Sequence, residues 1–231
     1  VVIFYYFGRK KQTAKNYPQP KLDIIVEPFA GSAAYSLHND NWKKEVILVD
    51  NNPTVIGLWT YLLAATTKDI ENLPDLKEGE NVDDFKYLSV EEKNLIGFHI
   101  NPGSSVPKKT ATKMSRWKPG KAYILSNLFK IKHWKFLPGN YLEQETPSAT
   151  YFIDAPYFDA GKQYVGSKLD YGILAKWISN LSGEIIVCEG AQHSNWLPFK
   201  ELPFTVNNGG TNKSKKSKEY IFYAMQRFSI L

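Results

Sequence analysis

At the end of an apolar run, Tyr151-Phe152-Ile153, the chain places a carboxylate, a small residue, a proline and a phenol: Asp154-Ala155-Pro156-Tyr157. Together these groups can hold a flat ring that carries an amino group. The carboxylate and one backbone carbonyl would accept the two amine hydrogens and localise the nitrogen lone pair. Proline stiffens the turn, and the tyrosine offers a face on which a ring can stack. Taken alone, the same four residues equally suit a turn after a strand, with a tyrosine tucked into the core. A second set, Glu27-Pro28-Phe29-Ala30-Gly31-Ser32, follows the run Leu22-Asp23-Ile24-Ile25-Val26. Its glycine lets a ligand approach the backbone closely, and Glu27 can meet a cationic amine or a hydroxyl. A tight turn between strand and helix is the alternative. Asp50 ends the run Val46-Ile47-Leu48-Val49, at the spacing of an acid that accepts from ribose hydroxyls. The glycines before the helix are too few for a dinucleotide fingerprint and no phosphate cradle is present, which argues against NAD and ATP.

These groups need elements to aim them. The runs at 22–26 and 46–49 read as short buried strands. Gly31-Ser32 is expected to open a helix through Ala33-Ala34-Tyr35-Ser36-Leu37, and Pro53 another, with Val55, Ile56, Leu58, Trp59, Leu62 and Leu63 on its apolar side. Residues 68–84 read as a polar connector, 90–100 as a helix, 101–121 as a long loop rich in Gly, Pro, Ser and Lys, and 122–132 as a helix. A strand at 150–153, a helix at 171–181 and a strand at 184–188 follow. Phe204-Thr205-Val206 and Tyr220-Ile221-Phe222-Tyr223 flank a Gly- and Lys-rich turn and predict an antiparallel hairpin. Strands alternating with helices predict an α/β fold, a mostly parallel sheet with helices on both faces. A chain of 231 residues suits one domain of that kind, 1–231, with an insertion at about 70–135.

Composition narrows the partners. A net charge of +6 favours a polyanion, although a basic surface that only aids solubility accounts for it as well. The single Cys188 cannot close an internal disulfide, and four scattered histidines do not make a zinc site, so no metal is expected. His133 and His193 are read as structural. No apolar run is long enough to cross a membrane. No secretory signal is visible, and the expected setting is the reducing cytoplasm, beside the nucleoid.

Glu27-Pro28-Phe29-Ala30-Gly31-Ser32-Ala33-Ala34 resembles the cofactor motif of the Dam-type DNA adenine-N6 methyltransferases and their phage relatives. Tyr6-Phe7-Gly8-Arg9-Lys10 resembles the family's amino-terminal aromatic-glycine-lysine motif, and Val49-Asp50-Asn51-Asn52-Pro53 its acidic second motif. His133-Trp134 and Gly139-Asn140-Tyr141 stand where the family has a Gly-Asp-aromatic element. Asp154-Ala155-Pro156-Tyr157 is one residue from the family's Asp-Pro-Pro-Tyr, and Trp196-Leu197-Pro198-Phe199 is similar to a segment of phage-type members. The motifs occur in family order, which is far more specific than any one of them.

The resemblance implies the class I methyltransferase fold, with S-adenosylmethionine as cofactor and S-adenosylhomocysteine as product. It implies site-specific transfer of a methyl group to adenine N6 in double-stranded DNA after base flipping, as in restriction–modification. By position, Tyr6, Phe7 and Lys10 would lie near the cofactor's amino-acid or adenine portion. Glu27, Pro28, Phe29, Ala30 and Gly31 would hold its methionine end, Asp50 and Asn51 its ribose side, and Asn140 its adenine. Asp154 would serve cofactor and chemistry together, with Ala155, Pro156 and Tyr157 completing the catalytic motif. Lys108, Lys109, Lys113, Arg116, Lys118 and Lys121, with Trp117 among them, lie where the family carries target recognition and would touch phosphates or wedge beside a base. Lys213, Lys215, Lys216 and Lys218, at the hairpin tip, are read as surface.

Three departures motivate alternatives. Ala155 replaces the family's first proline and loses its fixed φ; Ala33 replaces a second glycine; Asn140 replaces an acid with a mixed donor and acceptor. A catalytically attenuated or inactive module that binds DNA or cofactor is one alternative, and an RNA-directed N-methyltransferase is another.

Overall fold

The computed structural model describes residues 2–8, 10, 13–102, 104–158, 169–191, 194–207 and 216–226, with backbone alone at 205–207, 216 and 217. Arg9, His193, Lys213 and Lys215, named above, lie outside the described residues, as does the side chain of Lys216.

The described residues form seven strands: β1 (Ile24–Glu27), β2 (Glu45–Asp50), β3 (Lys135–Pro138), β4 (Ala149–Ile153), β5 (Gly183–Gly190), β6 (Lys200–Asn207) and β7 (Lys216–Gln226). They form one sheet in the order β3-β2-β1-β4-β5-β7-β6. The first five in chain order pair in parallel, while β7 runs antiparallel to both β5 and β6. This is the mostly parallel sheet closed by an antiparallel hairpin that the class I methyltransferase fold requires. The chain steps outward from β1 to β3, then returns to place β4 on the other side of β1. Strand order therefore reverses between β1 and β4, and in such sheets ligands bind beyond the carboxyl ends of the strands at that point.

Alternation along the strands divides the core. Ile25, Phe152, Ile186 and Cys188 point to one face, where α1 (Pro53–Ala64), α3 (Val90–Ile100) and α4 (Trp117–Asn127) pack. Val26, Tyr151, Ile153, Ile185 and Val187 point to the other, under Leu174 and Ile178 of α5 (Tyr171–Ser179). Both faces are buried, which is why β4 and β5 read as continuous apolar runs.

Four expectations need correction. Residues 31–37 form hydrogen-bonded turns in place of a helix, because Ala33 sits at φ 48° and Gly31 at φ 46°, outside the helical region. The connector at 68–84 begins inside a short helix, α2 (Thr67–Glu71), closed at its start by a Thr66–Asp69 capping box. The loop expected to reach residue 121 ends where α4 begins at Trp117. Pro119 falls in the first turn, where a missing N–H costs nothing. Gly120 is needed because a Cβ there would lie 2.1 Å from the His99 ring. The short strand β3 also went unread; only its backbone pairing to β2 defines it.

Candidate active site

The carboxyl ends of β1, β2 and β4 surround a cleft that is partly open to solvent. From the expected cofactor set, Tyr6, Phe7, Lys10, Glu27, Phe29, Ala30, Gly31, Asp50, Asn51 and Asp154 line it, joined by Gly8, Ser32 to Tyr35, Asn52, Phe152 and Pro156. Pro28 is buried in the turn behind, and Asn140 lies at the end of β3, off the cleft wall. Gly139, before it, donates its N–H to the Asp50 carbonyl at 2.9 Å, which ties this turn to β2. The Asn140 Oδ1 accepts from the N–H of Leu142.

Asp50 and Glu27 are held by backbone donors. Asp50 Oδ2 accepts from Gly31 N at 3.0 Å and Oδ1 from Asn52 N at 2.9 Å. Burial raises the Asp50 carboxyl above its ordinary range, against the pull of these bonds. Glu27 Oε1 accepts from Ser36 N at 2.8 Å. Burial, reinforced by Asp154, pushes its carboxyl up to about 8. Gly31 presses so close to Tyr6 that a Cβ would come within 3.2 Å of the ring. The Tyr6 hydroxyl in turn accepts from Asn52 Nδ2 at 3.1 Å. The buried Ser32 Oγ, beside the cleft, meets no hydrogen-bond partner among the described residues. The oxygen is shut from the surface, so a rotation of the side chain would be needed to turn it toward a ligand.

Beyond the cleft floor lies a cluster of charged groups. The Lys10 ammonium is 2.7 Å from Asp154 Oδ1 and 3.8 Å from Glu219 Oε1, and 4.6 Å from the centre of the Tyr157 ring. Tyr17 and Tyr157 both donate their hydroxyls to Glu219 Oε1. Burial opposes the charge of Lys10, but Asp154 and Glu219 outweigh it and hold its ammonium above the usual lysine range. Burial also raises the Asp154 carboxyl, an effect Lys10 partly offsets. Cys188, buried beside this cluster, is kept a thiol by burial and by Asp154.

The loop that follows β4, 154–158, is fixed from several sides. Tyr171 donates its hydroxyl to the Pro156 carbonyl at 2.7 Å. Phe158 N reaches both oxygens of Glu189 at 3.2 Å, and the indole N–H of Trp196 bonds Glu189 Oε2 at 3.1 Å. The Tyr157 ring lies so near Gly190 that a Cβ there would meet it at 3.0 Å. Sequence reasoning missed Glu219 and Tyr17 entirely, and gave Glu189 and Tyr171 no role.

The basic stretch divides. Lys108, Lys109, Lys113, Arg116 and Lys118 are exposed, with Lys109 2.6 Å from Asp83. Trp117 is not the exposed aromatic it was expected to be: it is 1% exposed, and its indole N–H is spent on the Pro74 carbonyl at 2.7 Å. Lys121 is a brace as well, its ammonium on the Leu73 carbonyl and 3.8 Å from Asp75. The apolar side chain that does stand out among these cations is Met114, 68% exposed. Among the described residues no helix is long and apolar enough to cross a membrane, and no cluster of His, Cys, Asp and Glu could hold a metal ion.

Residues 9–116 match the family described as D12 class N6 adenine-specific DNA methyltransferases, and this supports the resemblance to Dam-type adenine methyltransferases. No curated protein sequence matches the chain significantly. Among solved structures, a dimethyladenosine transferase from Plasmodium falciparum aligns with a TM-score of 0.39 at 10% identity, covering 92% of this chain and 57% of that one.

Proposed function

We propose that this Dam-type chain methylates the N6 amine of adenine in double-stranded DNA, using S-adenosylmethionine and drawing the base out of the duplex. The observation that carries the reading is that Asp154, Glu27 and Asp50, from three strand ends, meet around one cleft at the reversal point of the sheet. The donor set suits the cofactor. Two backbone donors occupy the Asp50 carboxylate, and its remaining lone pairs can accept from ribose hydroxyls. Ser32 offers a hydroxyl to the methionine carboxylate, and Glu27 a partner for the ammonium. Phe7, Phe29 and Tyr6 supply apolar walls. Asn140, off the cleft wall and with its Oδ1 on Leu142 N, is given no cofactor contact in this reading.

When bound, S-adenosylmethionine would supply a methyl group on a sulfonium, an electrophile that an activated amine attacks at carbon while the thioether S-adenosylhomocysteine leaves. Asp154 accepts one amine hydrogen and the Ala155 carbonyl the other. Lys10 holds Asp154 Oδ1 before the base arrives; once the amine is seated, the two acceptors would stabilise charge as it develops on nitrogen. The raised carboxyl of Asp154 can then take the proton that the alkylated nitrogen sheds. Tyr157 provides the stacking face, worth about 1–3 kcal/mol per base, comparable to the few kcal/mol of unstacking that base flipping needs. Lys108, Lys109, Lys113 and Arg116 would neutralise phosphates, and Met114, in place of Trp117, would wedge beside the opened base.

The test is transfer of labelled methyl from S-adenosylmethionine to unmethylated duplex DNA, run beside an RNA of the same sequence. Label is expected in the DNA, and Asp154→Ala should abolish it. No label above that control would rule out methyl transfer by this chain, and label confined to RNA would move the substrate.

A further inference from the structure

Glu219 has no part in the chemistry just described, yet its carboxylate touches three of the groups that surround it. It reaches the site through the strand order: β7 inserts beside β5, and register sets Glu219 opposite Gly190, at the carboxyl end of the sheet. There it is 3% exposed. A side chain so buried must find polar partners, and those it finds are Tyr157, Tyr17 and Lys10.

The arrangement poses a problem that Glu219 answers. Lys10 holds Asp154 Oδ1, one of the two carboxylate oxygens that an incoming amine could use. An ammonium shut away from water does not leave one carboxylate unless another is within reach. Glu219 Oε1 is that second anion, 3.8 Å from the same ammonium, with the face of the Tyr157 ring also close by. A displacement of about 1 Å would bring Lys10 within ordinary ion-pair distance of Glu219. We propose that Glu219 is a positioning residue for methyl transfer: it anchors the stacking tyrosine and receives the Lys10 ammonium when the substrate amine takes its place on Asp154. This rests on the function proposed above.

Two separable effects follow. Glu219→Gln keeps an oxygen to accept from both tyrosine hydroxyls but removes the charge that draws Lys10. Glu219→Ala removes both. Steady-state methylation of DNA by wild type, E219Q, E219D and E219A, with thermal unfolding of each, separates them. In E219Q, kcat is expected to fall ~10–100-fold while KM for DNA and cofactor stays within about twofold of wild type. E219D, which keeps the charge, should regain part of that loss, and E219A should add a rise in KM for DNA as Tyr157 loses its anchor. An unchanged kcat in E219Q would overturn the proposal. So would a loss that appears equally in KM and melting temperature, which marks a residue that only supports the fold. A wild type that makes no N6-methyladenine overturns the functional reading and this role together; an active wild type matched by E219Q overturns this role alone.

Discussion

If Ala155 loosens the loop relative to the Asp-Pro-Pro-Tyr it resembles, Tyr171 illustrates how a single side chain would compensate. Proline would fix the backbone from within; here the Tyr171 hydroxyl on the Pro156 carbonyl and Glu189 on Phe158 N hold it from outside. Tyr171→Phe is expected to lower kcat about tenfold, since small misplacements of reacting groups are costly. In an Ala155→Pro background the same change should cost less, because the two restraints serve one purpose; equal losses in both backgrounds would contradict the compensation. The weakness at Ala155 was legible in the tetrapeptide itself. The restraints were not, because a tyrosine starting a helix and a glutamate ending a strand carry no local sign of where they point. Glu27 makes a prediction of another kind. Its carboxyl moves from 4.5 to about 8 on folding, so the folded chain holds this proton more tightly. The resulting stability is full below about pH 4.5 and is lost as pH rises through about 8. Thermal unfolding across that window should show the slope in wild type and less of it in Glu27→Gln, with the variant the more stable at about pH 9.

At the scale of elements, α4 and the segment before it would decide what faces the proposed DNA substrate. Trp117, Gly120, Ile124 and Asn127 are its buried residues, at helical spacing. That period was present in the sequence, but Pro119-Gly120 read as a break; the first-turn position of the proline and the His99 ring against the glycine explain both residues. Lys121 shares the basic stretch with Lys113 and Arg116 yet braces the Leu73 carbonyl. Charge alone could not separate brace from contact; burial and partners do. Lys113→Ala and Arg116→Ala should each weaken DNA binding and flatten the dependence of log K on log salt by about one. Lys121→Ala should instead lower the melting temperature and leave that slope unchanged. Salt titrations of the three variants check this, and a flattened slope in K121A would return Lys121 to the interface.

For the molecule as a whole, strand order does the assembling. Three motifs far apart in sequence converge because β1, β2 and β4 are neighbours whose carboxyl ends share one edge. Their chain order, and the parallel sheet it implies, are legible in the sequence. The placement of β7 between β5 and β6 is not, since a hairpin signal does not say which of its strands lies inward. That placement buries Glu219 and turns an ordinary strand glutamate into part of the site. The central role proposed for Asp154 and its neighbours is methylation of adenine N6. Mass spectrometry of nucleosides from unmethylated duplex DNA, digested after incubation with the protein and S-adenosylmethionine, tests it directly. The expected result is N6-methyladenine with wild type and none with Asp154→Ala. Digests with no methylated adenine, or the same yield from both proteins, would contradict it.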